Sequence, residues 1–488
     1  MNRRNFITTG VAAGAMLTAP KVFSSTKMSS KILGANSDVR IAIAGLRIKG
    51  TQHIDEFSQI PGVRIVALCD PDDEMLNREV NRLAQKNVKV DTFRDIRKLL
   101  ERNDIDALVI SAPNHWHALM AVWACQAGKD VYVEKPVSHS VWEGRKIVEA
   151  SLRYDRIVQA GTQSRSDEAL QEAFDFIWKG NLGKIKIARG FCYNKRDSIG
   201  KANGPQPIPK SIDYDLWAGP AVLGPLLRKE LHYDWHWFWN TGNGDIGNQG
   251  IHEIDMCRWA IREEGLPKKV IGIGGRYGYI DDGETPNTQI AYYDYKTPII
   301  FEVRGLPQSK NSTAMDAYKD IRVGIVIECD DGYFAGGGGG GWVYDRQNKR
   351  IKQFKSTGGK AHTANFIQAV RSRKSSELNA RIEVGHLSSA LCHLPNISYR
   401  LGKKVSESEL KEFIADNSIL SESFRRFQDH LNANGVSPST VPFTQGPWLE
   451  MRPDQEQFAS KELYDLEFFA NQMIKGEYRQ PFVIPEKV

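Results

Sequence analysis

The segment Val39-Arg-Ile-Ala-Ile-Ala-Gly45-Leu-Arg47-Ile48-Lys-Gly50 decides the fold of this chain. A short apolar run ends at one glycine, and helical sequence begins at a second glycine five residues later. Gly45 suits a tight turn, and Gly50 allows a helix to pack closely on the strand. The spacing therefore predicts a βαβ unit whose helix N-terminus binds a pyrophosphate. Arg47 replaces the middle glycine of the usual G-x-G-x-x-G pattern.

An acidic residue, Asp70, ends the next predicted strand, 25 residues after Gly45. A carboxylate at this position hydrogen-bonds the ribose hydroxyls of a dinucleotide and repels a 2′-phosphate. The sequence therefore favours NAD over NADP as the cofactor. A purely structural turn followed by a surface aspartate is the alternative interpretation.

The pattern of apolar runs predicts an α/β protein with two kinds of sheet. Runs separated by amphipathic helical sequence indicate a parallel sheet with helices on both faces, with strands at residues 41–45, 63–70, 105–112, 130–133 and 156–160. From about residue 184 the sequence is rich in strands with few helices between them, which predicts a large, mostly antiparallel sheet, with strands at residues 185–193, 270–277, 289–295, 299–304 and 322–329. Six consecutive glycines at 336–341 are not followed by GK[ST], so we expect a hairpin tip rather than a phosphate-binding loop.

Basic charge is concentrated at the N-terminus. The net charge is +6, but residues 1–31 hold five basic and no acidic residues, which leaves the rest of the chain near neutral. A near-neutral body argues against nucleic acid as a partner. Arg3 and Arg4, followed by an apolar run at residues 7–19, predict a twin-arginine signal peptide over residues 1–30 and a periplasmic or otherwise exported protein. That run is too short to span a bilayer, so we expect no membrane association after signal removal; a disordered basic start is the alternative.

Six cysteines are scattered along the chain without a C-x-x-C pair. Buried free thiols are expected rather than disulfides or a zinc site, and the sequence predicts no metal site.

Three further motifs resemble those of the Gfo/Idh/MocA family of oxidoreductases. They are Asp130-Val-Tyr-Val-Glu134-Lys135-Pro136, Ser111-Ala-Pro113-Asn114-His115-Trp-His117 and Gly244-Asp-Ile-Gly-Asn248-Gln-Gly-Ile-His252-Glu-Ile-Asp255. The resemblance runs from about residue 38 to the end. It implies a Rossmann NAD-binding domain at 38–160, an α/β substrate-binding and oligomerisation domain with an open sheet at 161–403, and a C-terminal arm at 404–488. It also implies that copies of the chain pair through the open sheet face, so a homo-oligomer is expected.

The motifs assign catalysis to Lys135 and His252. Lys135 follows a Rossmann strand and would hydrogen-bond the reacting hydroxyl, provided that its pKa is lowered; a surface lysine paired with Glu134 is the alternative. His252 would accept a proton, with a core histidine or a metal ligand as the alternatives. The residues expected to bind the cofactor are Gly45, Arg47, Ile48, Gly50, Asp70, Pro113, Asn114, His117, Glu134, Lys135 and Gln163.

Substrate is expected to contact a second set of residues. Asn248 stands where many relatives have a carboxylate, and an amide can hold a hydroxyl but cannot shuttle its proton. Asp255, three residues after His252, shares its helix face. The aromatic segment at residues 232–243 mixes indole rings with polar groups, as carbohydrate sites do, although a packed aromatic core is the alternative. The expected substrate-binding residues are Asn248, Asp255, Trp235, His236 and Tyr193.

Three functions are compatible with these residues. The first is an NAD-dependent oxidoreductase that acts on a secondary hydroxyl of a sugar, sugar derivative or cyclitol by hydride transfer to nicotinamide. The second is a glycoside hydrolase or lyase in which retained NAD oxidises the sugar transiently, which suits export because free NAD is scarce outside the cytoplasm. The third is a non-catalytic sugar-binding protein. No pair of carboxylates suited to ordinary glycoside hydrolysis can be identified.

Overall fold

The computed structural model describes residues 38–356 and 362–488. The predicted signal peptide at residues 1–30 lies outside the described residues. Within the described part of the chain, no helix is both long and apolar enough to cross a membrane. All six cysteines are free, and five of them are buried, as predicted.

The first domain is built on a six-stranded parallel sheet with the strand order β3-β2-β1-β4-β5-β6. This order is that of the Rossmann fold, which confirms the prediction. The strands are β1 (Val39–Ala44), β2 (Val63–Cys69), β3 (Asp91–Phe93), β4 (Ala107–Ile110), β5 (Asp130–Val133) and β6 (Val158–Ala160), and the helices between them are α1 (Ile48–Ser58), α2 (Asp73–Ala84), α3 (Ile96–Leu100), α4 (Asn114–Gln126) and α5 (Val141–Arg153).

The second domain contains a twelve-stranded mixed sheet. Its main path is β14-β13-β12-β11-β7-β10-β9-β8-β16-β15, and β17 extends it from β8 and pairs with β18. In the part of this sheet that the structure describes, β7 and β10 pair in parallel and the other strand pairs are antiparallel. The strands are β7 (Ile185–Tyr193), β8 (Lys269–Gly275), β9 (Thr288–Tyr293), β10 (Ile299–Arg304), β11 (Val323–Cys329), β12 (Gly332–Gly337), β13 (Gly340–Asp345), β14 (Arg350–Lys355), β15 (Lys403–Val405), β16 (Phe443–Gln445), β17 (Leu449–Arg452) and β18 (Gln457–Phe458). The glycine run forms the β12–β13 hairpin, as predicted.

Helices cover both faces of this sheet. One face packs against α6, α9 and α11, which enclose the main core of the domain. The opposite face, over β7–β10, is covered by α12 and α13 through a second apolar cluster. The helices of this part of the chain are α6 (Glu168–Trp178), α7 (Tyr214–Ala218), α8 (Gly244–Asn248), α9 (Gly250–Ala260), α10 (His362–Ser372), α11 (Ile382–Arg400), α12 (Glu407–Phe413), α13 (Ser418–Ala433) and α14 (Leu466–Lys475). The sheet face that the family resemblance assigns to pairing between copies is therefore occupied, over these strands, by the chain's own helices.

The C-terminal region, predicted as an arm at residues 404–488, forms part of the second domain. Residues after 403 add four strands to the large sheet and supply the helices of its second face. In addition α10, within the stretch assigned to the second domain, packs on the Rossmann sheet through Phe366 and Val370. Apolar spacing predicts such helices, but it does not say which of two sheets they cover.

A long segment between β7 and α8, residues 194–243, crosses back to the Rossmann domain; we call it the insert. Its backbone pairs with the loop after β2, where the Asp73 amide donates to the Ser211 carbonyl (2.9 Å) and the Asp213 amide donates to the Pro71 carbonyl (2.9 Å). Asp72 and Ile212 form an isolated β-bridge at the same place. The insert therefore lies over the carboxyl edge of the Rossmann sheet.

Candidate active site

The turn between β1 and α1 has the geometry that a dinucleotide requires. Gly45 has φ +84°, and a Cβ there would lie 2.6 Å from the backbone of Ser111 and Ala112. A Cβ on Gly50 would lie 1.9 Å from the Gly45 carbonyl oxygen. Both positions therefore demand glycine, which confirms the structural reason for the motif.

The N-terminus of α1 is open to an anion. Arg47 is its N-cap residue, and its side chain makes no capping hydrogen bond. Ile48 is 70% exposed although it is apolar. The first amides of a helix lack intrahelical partners and attract phosphate oxygens. The residues at this turn thus fit a dinucleotide pyrophosphate.

Asp70 lies beside this turn at the end of β2. Its Oδ2 accepts a hydrogen bond from the Leu46 amide (2.8 Å), and its Oδ1 accepts one from the Asp72 amide (3.0 Å). Burial raises the pKa of Asp70 to about 6, although these two amide bonds favour the ionised form. Each carboxylate oxygen has a second lone pair, so Asp70 can brace the turn and still accept from ribose hydroxyls.

Lys135 connects the two domains. It follows β5, is half-buried, and its Nζ donates to the carbonyl oxygen of Asn248 at the end of α8 (2.5 Å). Burial lowers the pKa of Lys135, as does the charge of Lys49, while Glu134 opposes the shift. The predicted lowering of the pKa is confirmed in direction, and the alternative of a surface lysine paired with Glu134 is wrong.

Glu134 itself faces into the protein. Its carboxylate lies 2.9 Å from His53 Nε2 and accepts from Gln163 Nε2 (2.9 Å). Burial raises the pKa of Glu134, but the His53 hydrogen bond and the charges of Lys49 and Lys135 outweigh it and lower the pKa. The prediction that the Glu134 side chain binds the cofactor is therefore corrected: it links His53 of α1 to the end of β5, because buried groups with complementary hydrogen-bonding capacity satisfy each other. Gln163 is half-buried and uses only its Nε2 here, so its contact with the cofactor stays a prediction.

Two residues of the β4–α4 turn also brace the site instead of facing a ligand. The ring nitrogens of His117 lie 2.6 Å from the carbonyl oxygens of Pro136 and Ala112. The amide of Asn114 donates to Asn243 Oδ1 (3.0 Å) across the domain junction. Both side chains are buried, so their predicted contact with the cofactor is corrected to a supporting role. Pro113, the half-buried N-cap residue of α4, remains a candidate.

His252 lies on the first turns of α9 and is half-buried. Its ring makes no hydrogen bond with any residue that the structure describes. Burial and the nearby charge of Lys135 lower the pKa of His252 to about 3, so the ring is neutral at physiological pH. Among the described residues no group of three or more histidine, cysteine or carboxylate side chains could hold a metal. His252 therefore has the free nitrogen that a proton acceptor needs.

The carboxylate of Asp255, by contrast, already has protein partners. It is fully buried, and its carboxylate forms a bidentate ion pair with Arg165 (2.9 Å) and accepts from Ser388 Oγ (2.6 Å). Arg165 reaches it from the 3-10 helix Gln163–Ser166. The prediction that Asp255 binds substrate is therefore corrected, because the carboxylate is fully buried and its oxygens are already satisfied by Arg165 and Ser388.

Tyr193 and His236 are also buried and hydrogen-bonded to other protein groups. Tyr193 is fully buried, and its hydroxyl donates to Glu302 (2.7 Å). Side chains alternate along β7, so Tyr193 lies on the sheet face opposite to Cys192 and α9. His236 is buried with its Nδ1 2.5 Å from the Tyr233 carbonyl. Both substrate predictions are corrected.

Asn248 and Trp235 keep exposed surface. The side chain of Asn248 is half-buried at the end of α8, while its backbone carbonyl holds Lys135. Trp235 is half-buried and packs against the apolar cluster of the insert. The aromatic segment is therefore divided, with part of it core and part of it surface, in line with the two interpretations left open from the sequence.

Comparison with known proteins agrees with this geometry. Residues 39–162 match the Gfo/Idh/MocA group described as "Oxidoreductase family, NAD-binding Rossmann fold", and residues 178–302 match its "Oxidoreductase family, C-terminal alpha/beta domain". The chain carries both domains of the Gfo/Idh/MocA oxidoreductase family.

Curated relatives of this Gfo/Idh/MocA protein are similar over part of their length. A "Glycosyl hydrolase family 109 protein" of Shewanella baltica is 31% identical over 171 residues, which cover 31% of this chain and 37% of the relative. An "Alpha-N-acetylgalactosaminidase" of Shewanella oneidensis is 34% identical over 146 residues, 29% of this chain and 32% of that protein. The matched stretch thus spans about a third of the curated relatives.

Solved structures share the fold. The WlbA dehydrogenase of Bordetella pertussis, in complex with NADH and UDP-GlcNAcA, has a TM-score of 0.54 at 20% identity, and the alignment covers 73% of this chain and 93% of WlbA. A putative NADPH-dependent oxidoreductase of Desulfitobacterium hafniense has a TM-score of 0.55 at 13% identity, with 75% and 96% coverage. The first of these proteins was solved with NADH, and the second is described as NADPH-dependent.

Two buried acidic residues were missed as parts of this Gfo/Idh/MocA site. Asp245, on α8, forms a bidentate ion pair with Arg196 of the insert (2.8 Å). Glu253, next to His252, accepts from Gln249, and burial raises its pKa to about 8. A carboxylate at i+4 from Gln249 on an otherwise apolar helix face was the signal for Glu253, whereas the partner of Asp245 lies 49 residues away and gives no local signal.

Proposed function

We propose that this protein is an NAD-dependent oxidoreductase that removes hydride from a secondary alcohol carbon of a sugar, sugar derivative or cyclitol. The observation that supports it most is that Lys135 and His252 lie close enough together at the domain junction for the charge of Lys135 to act on the His252 ring. The lysine Nζ is fixed on the Asn248 carbonyl, four residues before His252, while the His252 ring is neutral and without a hydrogen bond among the described residues.

The reaction divides between cofactor and protein. Bound NAD would supply the hydride acceptor, held by the turn at Gly45, the open N-terminus of α1 and the Asp70 carboxylate. Lys135 donates a hydrogen bond from Nζ to the reacting hydroxyl oxygen and so orients it. His252 takes the hydroxyl proton on a ring nitrogen, which is free to accept it because burial and, after it, the charge on Lys135 keep the resting ring neutral. Asn248 is suited to binding a neighbouring hydroxyl.

We favour NAD over NADP because the Asp70 carboxylate faces the position of the ribose diol, where it would repel a 2′-phosphate. Export through the twin-arginine route is supported by Arg3 and Arg4 ahead of an apolar run.

Glycoside cleavage with a retained cofactor is the second candidate. It is favoured by the curated relatives that are named as glycosyl hydrolases. In such a cycle the hydride taken from one carbon returns to the sugar before release, so no net oxidant is consumed. The same Lys135 and His252 would hold and move the hydroxyl proton.

One assay separates these functions. Purified protein with excess NAD is offered free sugars, cyclitols and chromogenic glycosides while reduced nicotinamide and released aglycone are followed together. A dehydrogenase accumulates reduced nicotinamide in proportion to the substrate consumed, whereas a redox-neutral glycosidase releases aglycone without that accumulation. Both signals should disappear in Lys135→Ala and persist in Lys404→Ala, a lysine on the far strand β15. A wild-type protein that binds sugar and NAD but gives neither signal would contradict the proposal.

A further inference from the structure

Glu253 is a buried carboxyl group on the side of α9 that faces the large sheet. A Cβ added to Gly190 of β7 would lie 3.4 Å from the Glu253 Cβ, and Glu253 is only 3% exposed. Its Oε1 accepts a hydrogen bond from Gln249 Nε2 (3.1 Å), whereas its Oε2 has no hydrogen-bond partner among the described residues. A buried polar atom without a partner is unfavourable. The packing of α9 alone therefore does not account for a carboxyl group at this position.

Gln249 connects this carboxyl group to the catalytic pair. It lies between α8 and α9 and directly follows Asn248, whose carbonyl oxygen accepts from Lys135 Nζ (2.5 Å). The carbonyl oxygen of Gln249 accepts from the His252 amide (3.1 Å), and its side chain is half-buried. Gln249 thus belongs to the short stretch of backbone that holds Lys135 and carries His252.

The hydrogen bond to Glu253 fixes the orientation of the Gln249 amide. Because Nε2 donates to Glu253, the amide oxygen Oε1 is directed away from that carboxyl group. Oε1 accepts no hydrogen bond from any residue that the structure describes. An amide oxygen accepts readily from a hydroxyl. Gln249 Oε1 is therefore available to a sugar hydroxyl beside the catalytic pair.

The charge state of Glu253 matters because Lys135 is close to it. Burial raises the pKa of Glu253 to about 8, although the Gln249 hydrogen bond and the charge of Lys135 oppose the shift. An ionised Glu253 would in turn raise the pKa of Lys135 and attract its ammonium group. Among the described residues, the titratable groups that interact electrostatically with Glu253 are Lys135 after β5, Asp245 on α8, and the thiols of Cys192, Cys257 and Cys392 on β7, α9 and α11.

We propose that Glu253 is a positioning residue, which holds the Gln249 amide so that Gln249 Oε1 accepts a hydrogen bond from a substrate hydroxyl other than the reacting one. The inference rests on the proposed function for the presence of a polyhydroxylated substrate at Lys135 and His252. Glu253 acts in its un-ionised form, which leaves the ammonium group of Lys135 free for the reacting hydroxyl. A substrate that lacks the second hydroxyl loses this contact and binds more weakly.

Calorimetry on NAD-loaded protein tests the contact, with the sugar, cyclitol or glycoside that the wild type binds most tightly as the probe. Gln249→Ala and Glu253→Leu should each raise the Kd about tenfold. The double variant should bind no more weakly than either single variant, because Glu253 acts through Gln249. Glu253→Gln keeps an uncharged acceptor and should recover most of the loss. The matched control Gln428→Ala breaks another glutamine–glutamate hydrogen bond, to Glu407 of α12, and should bind like the wild type.

The outcomes separate this inference from the proposed function. An unchanged Kd in Gln249→Ala, or additive losses in the double variant, would overturn the inference while turnover by the wild type keeps the proposed function. The expected rise in Kd in a protein that shows no turnover would keep the contact and remove the proposed function. A wild-type protein that binds none of the compounds would overturn both.

The pH profile distinguishes this role from a merely structural one. In the wild type kcat/KM should fall above about pH 8, because Glu253 ionises and attracts the ammonium group of Lys135. In Glu253→Gln the fall should disappear or move to higher pH. A fall that stays at the same pH or moves to lower pH in the variant would assign it to Lys135 itself. That result, or a wild-type profile without a fall, would overturn the role of un-ionised Glu253.

Discussion

Lys135 and His252 differ from the other predicted polar site residues in what their side chains already contact. The side chains of Glu134, His117 and Asp255 are buried and satisfied by protein partners. Lys135 contacts one backbone carbonyl, and the His252 ring has no hydrogen bond among the described residues. Groups with hydrogen-bonding capacity left are the ones able to act on a substrate, which is why the catalytic assignment rests on these two.

Removing either group should reduce turnover without emptying the cofactor site. Lys135→Ala and His252→Ala should each lower kcat by roughly a hundredfold or more, as expected for loss of a proton-transfer group. Binding of NAD, measured by calorimetry, should change little because neither side chain lies at the pyrophosphate turn. Near-normal kcat in either variant would mean that the residue is structural and not catalytic.

Asp70 should control the choice of cofactor. Asp70→Ala should weaken NAD binding about tenfold or more, because the acceptor for the ribose diol is lost, while NADP binding should change much less. Asp70→Asn is the matched control, since it keeps an acceptor and removes only the charge that repels a 2′-phosphate. Titration of both cofactors decides the point, and equal weakening of NAD and NADP by Asp70→Ala would contradict the assignment.

At single residues the sequence predicts position better than orientation. The motif spacing correctly places Lys135 and His252 at the domain junction, because strand ends and helix starts are local features. It misplaces Asp255, since its partner Arg165 comes from 90 residues earlier. It also misplaces Tyr193, because a β-strand has two faces and only the tertiary fold shows which one α9 covers.

Helix α13 shows what a single element contributes. Leu420, Phe424, Phe427 and Leu431 recur at helical spacing, and all four are buried on the β7–β10 face. Arg426, on the same helix, donates to the buried Glu302 of β10 (3.0 Å). An apolar stripe and a buried ion pair together fix this helix on the sheet.

Truncating the stripe should destabilise the second domain. Phe424→Ala removes a fully buried ring and should lower the free energy of unfolding by about 3–5 kcal/mol. Phe413→Ala, at a residue of α12 that is 38% exposed, is the matched control and should cost clearly less. Denaturant unfolding measures both, and equal losses in the two variants would mean that α13 does not hold the sheet.

At the level of elements the sequence predicts strands better than their partners. The predicted strands at 130–133, 185–193 and 299–304 agree with β5, β7 and β10 to the residue. The strands after residue 403 are only two to four residues long and carry too little pattern to be recognised. The docking of the insert on Pro71 and Asp73 depends on backbone hydrogen bonds, which any sequence can make.

Across the whole molecule, buried neutral histidines should make stability depend on pH. Burial lowers the pKa of His115 to about 3, and its two ring nitrogens face the carbonyls of Thr241 and Trp217. Because the folded pKa lies below the unfolded value of about 6.5, the unfolded chain binds this proton first. The contribution of His115 to stability is therefore present above pH ~6.5 and lost as the pH falls towards 3.

The variant His115→Gln isolates this effect. Between pH 6 and 4 the free energy of unfolding of the wild type should fall more steeply than that of the variant, by about 1.4 kcal/mol per pH unit for the one proton. Above pH 7.5 the two profiles should run parallel, which serves as the internal control. Parallel profiles at acid pH as well would mean that His115 is already protonated in the folded protein.

If the protein is exported, its export, its hold on the cofactor and its mechanism depend on one another. The twin-arginine route carries folded proteins, so a protein exported in this way takes its dinucleotide from the cytoplasm and must keep it. The insert lies over the carboxyl edge of the Rossmann sheet and is hydrogen-bonded there to Pro71, Asp73, His115 and Trp116, which would slow the release of a bound dinucleotide. We therefore expect NAD(H) to remain bound through gel filtration of protein isolated from the periplasm. Steady-state turnover should not depend on added NAD.

Replacing the arginine pair, as Arg3→Lys with Arg4→Lys, should keep the protein in the cytoplasm with the same cofactor content, because loading precedes export. A net dehydrogenase with a retained cofactor would reduce its NAD once and stop unless a second substrate took the hydride back. Continued turnover by the exported protein without added NAD therefore favours a redox-neutral cycle. If the periplasmic protein instead contained no NAD and its rate saturated with added NAD, the simple dehydrogenase would be the remaining function.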